Sequence, residues 1–456
     1  MLNSERTTCL VVGGGPAGMV LGLLMARAGV EVTVLEKHAD FLRDFRGDTV
    51  HASTLTLLDE LGLAERFAKV PHRLLERMQA QFDNGSLPLA DLRRLPGAHK
   101  SIALVPQWDF LDMLADAAEE EPTFTLRRNA EVHGLLREGG RVVGVRYVDR
   151  ETGAEHQLRA TVTVACDGRS STVRAAAGLR PRSFGVPVDV WWFRLPRHAD
   201  DPPGGIGRIS QGHFCVLIDR GDYWQCAYLI RKGSDTALRA AGIEELRRRL
   251  AGLLPWVADR VDQLKSFDDV SLLDVRLDRL RRWDLDGLLL IGDAAHAMSP
   301  VGGVGINLAI QDAVAAARIL GPALRSGGIV PRSVLRQVQR RRWAPTALIQ
   351  GLQRVVHRVV LGRALATNSK GEALRSATPA AGASTVPVLG MTDALTPGTA
   401  LAGRPGRLLA RFPWLQGIPA RVVAIGPLPE HAPDWARRPE TAPGPRALSP
   451  GSPSSV

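Results

Sequence analysis

Only four cysteines, Cys9, Cys166, Cys215 and Cys226, occur in this chain, and none has the CxxC or Cys/His spacing of a metal or redox site. Cys9 and Cys166 lie in apolar, strand-like runs, where a buried free thiol is the ordinary state. A disulfide-built scaffold is excluded, and a reducing, cytoplasmic compartment is expected. The eleven histidines show no HExxH pattern, so no metal is expected, and no GxSxG nucleophile signature is present. Long apolar runs are missing too. No 18 residues are uninterruptedly apolar, and the first apolar run, Cys9 to Val12, is cut short by glycines. Neither a signal peptide nor an integral membrane segment is expected.

Lysine is nearly absent, six residues among 58 basic ones, so the net charge of +11 rests on arginine. The arginines are scattered, and their densest groups, 247–249 and 340–342, fall in segments with helical periodicity. Solvated helix faces account for them, and no nucleic-acid partner is expected. The field still favours anionic cofactors and substrates. With 45% hydrophobic and 23% charged residues, the 456-residue chain can bury a large core in two or three domains.

The opening reads strand (8–12), glycine loop (13–18), helix (19–28) and strand (31–36), a βαβ unit that implies a parallel sheet. Helical periodicity returns at 53–63 and 110–119. Short alternating segments then suggest antiparallel strands, including a hairpin of 214–218 and 223–230 turning at Arg220-Gly221-Asp222. Buried strands at 161–165 and 288–291 end at Asp167-Gly168 and Gly292-Asp293. From Pro379 onward lie 14 of the 30 prolines, which block long regular elements.

Three motifs carry chemistry. Gly13-Gly14-Gly15-Pro16-Ala17-Gly18 is a GxGxxG between a strand and a helix. Gly13 makes the tight turn, Gly15 lets backbone approach a pyrophosphate, and Gly18 lets helix and strand pack closely. The pyrophosphate would sit on free N–H groups at the helix start. Glu36, ending the next strand, is placed to accept hydrogen bonds from an adenosine ribose. The second motif is Cys166-Asp167-Gly168-Arg169-Ser170-Ser171-Thr172-Val173-Arg174, with arginines suited to phosphates. The third is Gly292-Asp293-Ala294-Ala295-His296, continued by Ser299-Pro300-Val301-Gly302-Gly303-Val304-Gly305-Ile306-Asn307.

In order and spacing these motifs resemble the single-component (group A) FAD-dependent aromatic hydroxylases, the flavoprotein monooxygenase family that includes para-hydroxybenzoate hydroxylase. The resemblance implies an α/β fold. A Rossmann-like FAD/NAD(P)-binding domain with a parallel sheet would occupy residues 1–72, 101–182 and 281–365. A mostly antiparallel α+β substrate domain would take 73–100 and 183–280, followed by a partly docked extension (366–433) and a disordered tail (434–456). Asp167 and Gly168 would serve both FAD and the nicotinamide, and Asp293, after Gly292, the ribityl chain. Pro300, Gly302 and Gly303 would run beside the flavin ring, with Gly305, Ile306 and Asn307 opening a helix aimed at it. Arg46 and Gln107 match family positions near FAD. The reaction implied is hydroxylation or epoxidation of an aromatic or polycyclic small molecule through a flavin C4a-hydroperoxide, with NADPH or NADH as transient reductant. Only one glycine loop exists, so a separate nicotinamide domain is absent. No side chain need be a covalent catalyst.

Trp192, His213, Tyr223, Gln225 and Tyr228 are the substrate-contact candidates in the sheet region, and Trp191, Trp192, Phe193 and Trp224 could wall an apolar chamber. The run Trp191-Trp192-Phe193-Arg194-Leu195-Pro196 only partly echoes the WxWxIP pattern of flavin-dependent halogenases. A halogenase, an isoprenoid reductase, a hydroxylase of carrier-protein-bound substrates and a non-catalytic flavin-sequestering protein are the alternatives.

Overall fold

The computed structural model describes residues 4–42, 49–83, 85–202, 204–210, 212–358 and 411–438. β1 (Ser4–Val12), α1 (Pro16–Arg27) and β2 (Val32–Leu35) realise the opening βαβ unit. Every residue of α1 from Ala17 to Ala26 is buried, because a helix apolar all round belongs inside. Next come α2 (Ala52–Glu60), the hairpin β3 (Arg77–Phe82) and β4 (Gly85–Asp91), and α3 (Gln107–Glu119). Strands β5 (Phe124–Arg127), β6 (Ala130–Glu138), β7 (Arg141–Asp149) and β8 (Glu155–Ala165) return to the first sheet, followed by α4 (Thr172–Ala176).

A second sheet holds β9 (Val188–Pro196), β10 (Gly205–Ser210), β11 (His213–Asp219) and β12 (Tyr223–Arg231). It continues, after α5 (Ile243–Leu253), with β13 (Ser271–Leu273). α5 realises the helical periodicity behind Arg247–Arg249: Leu246, Leu250 and Leu253 are buried and Arg248 is exposed, while Arg247 and Arg249, expected on a solvated face, are half-buried in ion pairs with Glu244 and Glu245. The chain re-enters the first sheet at β14 (Leu288–Leu290), then forms α6 (Gly305–Arg325) and α7 (Arg332–Val356). After the undescribed stretch comes α8 (Gly417–Ala424).

The first sheet has the parallel order β14-β8-β1-β2-β5, with β7 and β6 added antiparallel on β8. The second has the order β13-β9-β12-β11-β10-β3-β4 and is antiparallel except between β10 and β3. Chain segments 77–91 and 188–273 thus share one sheet, as the α/β fold with a mostly antiparallel second layer requires. By length and apolar composition Val301–Arg325 could cross a membrane, but 67% of that window is buried in the protein. It is a core helix, packed against α1 and α7.

One buried carboxylate joins the parts. Asp312 on α6 accepts from Gly292 N at 3.1 Å, His296 Nε2 at 2.5 Å and Arg342 Nε of α7 at 3.0 Å. Asp312 and Arg342 are 0% exposed. Burial opposes the charge on Asp312, but the attraction of His296, then of Arg342, outweighs it and holds the carboxyl below its usual range. Arg342 also donates to Leu428 O, and its neighbour Arg341 pairs with Glu430 at 2.7 and 2.8 Å. Residues 411–438 are strapped down this way, and by Glu60 to His431 and Ala432 N, and Arg27 to Ala436 O. Trp435 packs on the main core and Arg438 N donates to Glu60 O, so residues 434–438, expected in a disordered tail, are docked. Apolar burial at Trp435 and Ala436 outweighs the ordering cost there.

Replacing Arg342 with Met would leave Asp312 buried without its guanidinium partner. Such half-broken buried pairs cost about 3–5 kcal/mol. A clearly lower midpoint of chemical unfolding is expected; an unchanged midpoint would mean that the pair contributes nothing net.

Candidate functional site

The glycine turn is closed by contacts that only glycine permits. Gly13 has φ +103°, and a Cβ there would lie 2.6 Å from Cys166 O. One on Gly18 would lie 1.9 Å from Gly13 O. Around Gly15 a Cβ would meet nothing within 4 Å, so this glycine keeps clear the space before the helix. α1 starts at Pro16, with no side-chain cap and no acidic residue in its first turn, leaving its N–H groups available to an anion. Glu36 is buried at the end of β2. It accepts from Gly14 N at 2.8 Å and from His38 N and Nδ1 at 3.0 and 2.9 Å.

The other two motifs converge on this turn. Ser171 caps α4, and Asp167 braces it, accepting from Ser171 Oγ at 2.6 Å and Val173 N at 3.0 Å; burial raises the Asp167 pKa against these bonds. The structure therefore gives Asp167 a scaffolding task beside its expected cofactor contact, and Gly168 follows with φ +80°. Gly292 packs against Ala17 of α1 and Ala309 of α6. Asp293 pairs with Arg169 of the second motif at 3.1 Å, and both side chains remain partly exposed. Arg169 Nε and Nη1 are buried without a hydrogen-bond partner. Arg174 is a buried strut, donating to Ala294 O and Arg169 O.

Pro300 leads into the turn Val301–Gly303, where Gly302 and Gly303 have φ +82° and +64°. Gly305 and Ile306 open α6, which has neither a side-chain cap nor an acidic residue in its first turn, while Asn307 bonds Thr54 of α2. Thr49 Oγ1 lies 3.0 Å from Gly303 O and 3.1 Å from His51 Nε2, while His51 Nδ1 lies 2.8 Å from Val423 O of α8. The C-terminal helix thereby reaches the glycine turn. Burial pushes the His51 pKa down to about 4, against the pull of the Val423 and Gly303 carbonyls. His296, buried against Asp312, is structural.

The second sheet has two unlike faces. Trp192, Phe214, Val216, Ala227 and Leu229 share one apolar cluster with Val301, Ala420 and Val423, so this face looks onto the glycine turn. Trp191, Phe193, Trp224 and Tyr228 share the opposite cluster with Leu246 and Leu250 of α5. Strand alternation accounts for the split. Of the sequence candidates, Trp192 lies centrally on the turn-facing side, with Nε1 buried and unpartnered. Tyr223 and Gln225 follow the same parity toward the 220–222 turn, where Gln225 is buried and accepts from Arg220 Nε at 2.8 Å. Tyr228, bonded to His213, lies under α5, so neither of these two looks onto the glycine turn, and of the four aromatics Trp191, Trp192, Phe193 and Trp224 only Trp192 does.

Gln107 is half-buried in the first turn of α3, and Arg46 lies outside the described residues. Sequence reasoning missed Thr49, His51 and Val423. The local signal at Thr49 and His51 is polarity beside an apolar helix start; Val423, which takes part through its carbonyl, has none, and it lies 372 residues from His51.

The family described as FAD binding domain matches residues 6–348. The chain is 38% identical, over 83% of its own length and 91% of the relative's, to a 6-methylpretetramide 4-monooxygenase of Streptomyces rimosus. It is 29% identical to a 12-dehydrotetracycline 5-monooxygenase/anhydrotetracycline 6-monooxygenase of the same species, over 72% of this chain but 65% of that enzyme. A crystal structure of P. aeruginosa PqsL in complex with 2-aminobenzoylacetate has a TM-score of 0.68 at 20% identity, over 81% of this chain and 100% of that one, and shares the fold.

His51 stays neutral in the fold, whereas an unfolded histidine protonates near 6.5. Falling pH therefore favours the unfolded chain between about 6.5 and 4, by up to roughly 3 kcal/mol. Thermal stability should drop through that window, and His51→Gln should flatten part of the drop; equal slopes in both proteins would show that His51 plays no part.

Proposed function

The chain belongs to the FAD binding domain family of flavoprotein monooxygenases, and on that premise we propose that it hydroxylates a flat, fused-ring phenolic compound with NAD(P)H and O2. FAD, when bound, supplies the redox chemistry, taking electrons from the nicotinamide and activating oxygen. The residues present fit it. The open space at Gly15 and the uncapped α1 suit a pyrophosphate, and Arg169, which pairs with Asp293 through Nη2, keeps two further guanidinium nitrogens without a hydrogen-bond partner. Glu36 stands at the end of β2, where a carboxylate can accept from a ribose, and Asp293 keeps an exposed edge for a sugar-alcohol chain.

The observation that carries the reading is the meeting of the three motifs opposite the Trp192 face. The uncapped N-terminus of α6 presents backbone N–H groups and a positive dipole end, which stabilise negative charge developing beside the turn at 301–303. Trp192, Phe214, Val301 and Val423 supply apolar walls that keep water from the reacting atoms and suit a planar substrate. A fused-ring phenol is supported by the 38% identity to the 6-methylpretetramide enzyme. A cytoplasmic setting, where NAD(P)H is at hand and the four free cysteines stay reduced, completes the proposal.

Two predictions test it. Asp293→Ala should weaken FAD retention about 10- to 100-fold, since a charge-assisted hydrogen bond contributes roughly 1.5–3 kcal/mol; unchanged affinity would remove Asp293 from the cofactor site. Turnover of free tetracyclic phenols under 18O2 should add one labelled oxygen to the product, with NAD(P)H oxidation rising on substrate binding and no effect of bromide. Label from water, a brominated product, or turnover only of carrier-linked substrate would each set the proposal aside.

A further inference from the structure

Outside this site, three arginines gather around one ring. Arg182 and Arg279 are directly opposite each other in the short antiparallel pair Arg182–Ser183 with Asp278–Arg279. Arg354 joins them from the last turns of α7. Their guanidinium carbons lie 5.6, 5.4 and 5.2 Å from the centroid of Phe184, and that of Arg279 also 4.8 Å from the ring of Trp343. Among the described residues no carboxylate pairs with any of the three, and Arg279 Nη1 is buried without a partner. Like charges opposite one another in a sheet are destabilising. Burial first, then the charges of Arg182 and Arg354, depress the pKa of Arg279, so the repulsion is felt within the fold. One phenyl ring offers only a weak attraction to each cation and neutralises none.

The position of the cluster matters. Arg279 follows Asp278, which accepts from Ala297 N, and Arg354 follows Gln353, which donates to Ser299 O and Val301 O. Phe184 itself packs with Met298 and Val304. The cluster therefore backs the loop that leads into the glycine turn, at the junction of the two sheets' domains. The single GxGxxG is taken by FAD under the reading above, so a nicotinamide dinucleotide has no glycine loop of its own and must hold its phosphates by surface cations. We propose that Arg182, Arg279 and Arg354 form an anion site that binds a phosphate of the nicotinamide dinucleotide as it docks to reduce the flavin. Guanidinium forks suit phosphate oxygens, and a transient ligand suits a site whose cations stay unpaired between visits. This rests on the monooxygenase reading.

The test uses the FAD-loaded protein and three single variants, Arg182→Gln, Arg279→Gln and Arg354→Gln, with Arg248→Gln on exposed α5 as the charge control. Anaerobic bleaching of the flavin is followed against NADPH and NADH concentration, and thermal shift is measured with inorganic pyrophosphate against chloride at equal ionic strength. Each cluster variant should raise the half-saturating nucleotide concentration about tenfold, the equivalent of 1.4 kcal/mol, with the limiting reduction rate kept. The pyrophosphate stabilisation seen in wild type should shrink, while Arg248→Gln changes neither. A rise for both nucleotides marks a pyrophosphate contact and a rise for NADPH alone a 2′-phosphate contact; either supports the site. Unchanged half-saturation in all three FAD-loaded variants, with wild type reduced normally, would overturn the anion site alone. Wild type that neither nucleotide reduces would overturn the monooxygenase reading and the nucleotide assignment with it.

Discussion

The carboxylate of Asp312 is the contact on which the rest of the molecule hangs. A buried charge is tolerated only where partners surround it, and here the partners come from separate stretches of chain. Gly292 and His296 belong to the third motif, Arg342 to α7, and Asp312 itself to α6. Through Arg341, Arg342 and Glu430 the same knot reaches the C-terminal segment. Loop, helix pair and terminus are fixed relative to one another by electrostatics inside an otherwise apolar core. Such a knot favours one arrangement strongly, because any other leaves a charge buried and alone.

That rigidity explains why the glycine turn can be so bare. Gly302 and Gly303 contribute no side chains to hold their own loop; Gln353 holds the preceding Ser299 and Val301 carbonyls, and Thr49 holds that of Gly303. Support is moved outward, so that the surface facing a ligand stays flat and small.

Much of this was legible in the residues. GxGxxG after a strand, an acid at the end of the next, and Gly-Asp before a Pro-Gly-Gly run each encode a local backbone geometry, and local geometry is what a sequence reports best. The Trp191-Trp192-Phe193 run was not legible in the same way. Both faces of its strand are buried, so alternation of apolar and polar residues gives no sign of which side looks onto the glycine turn. The strand's neighbours decide it: Leu246 and Leu250 of α5 claim the odd-numbered aromatics. Tyr228 and His213 were misplaced for the same reason. The His51 to Val423 contact has no local signature at all, since its partners lie 372 residues apart.

That last contact has a consequence for how the protein comes into being. Val423 and Ala420 line the same apolar cluster as Trp192, yet they are made about 60 residues after α7. A growing chain can carry every glycine of the three motifs while one part of the Trp192 cluster is still unsynthesised. The segment that carries Ala420 and Val423 is translated after all three motifs, so this apolar wall is laid against Trp192 once the glycine turn is already encoded.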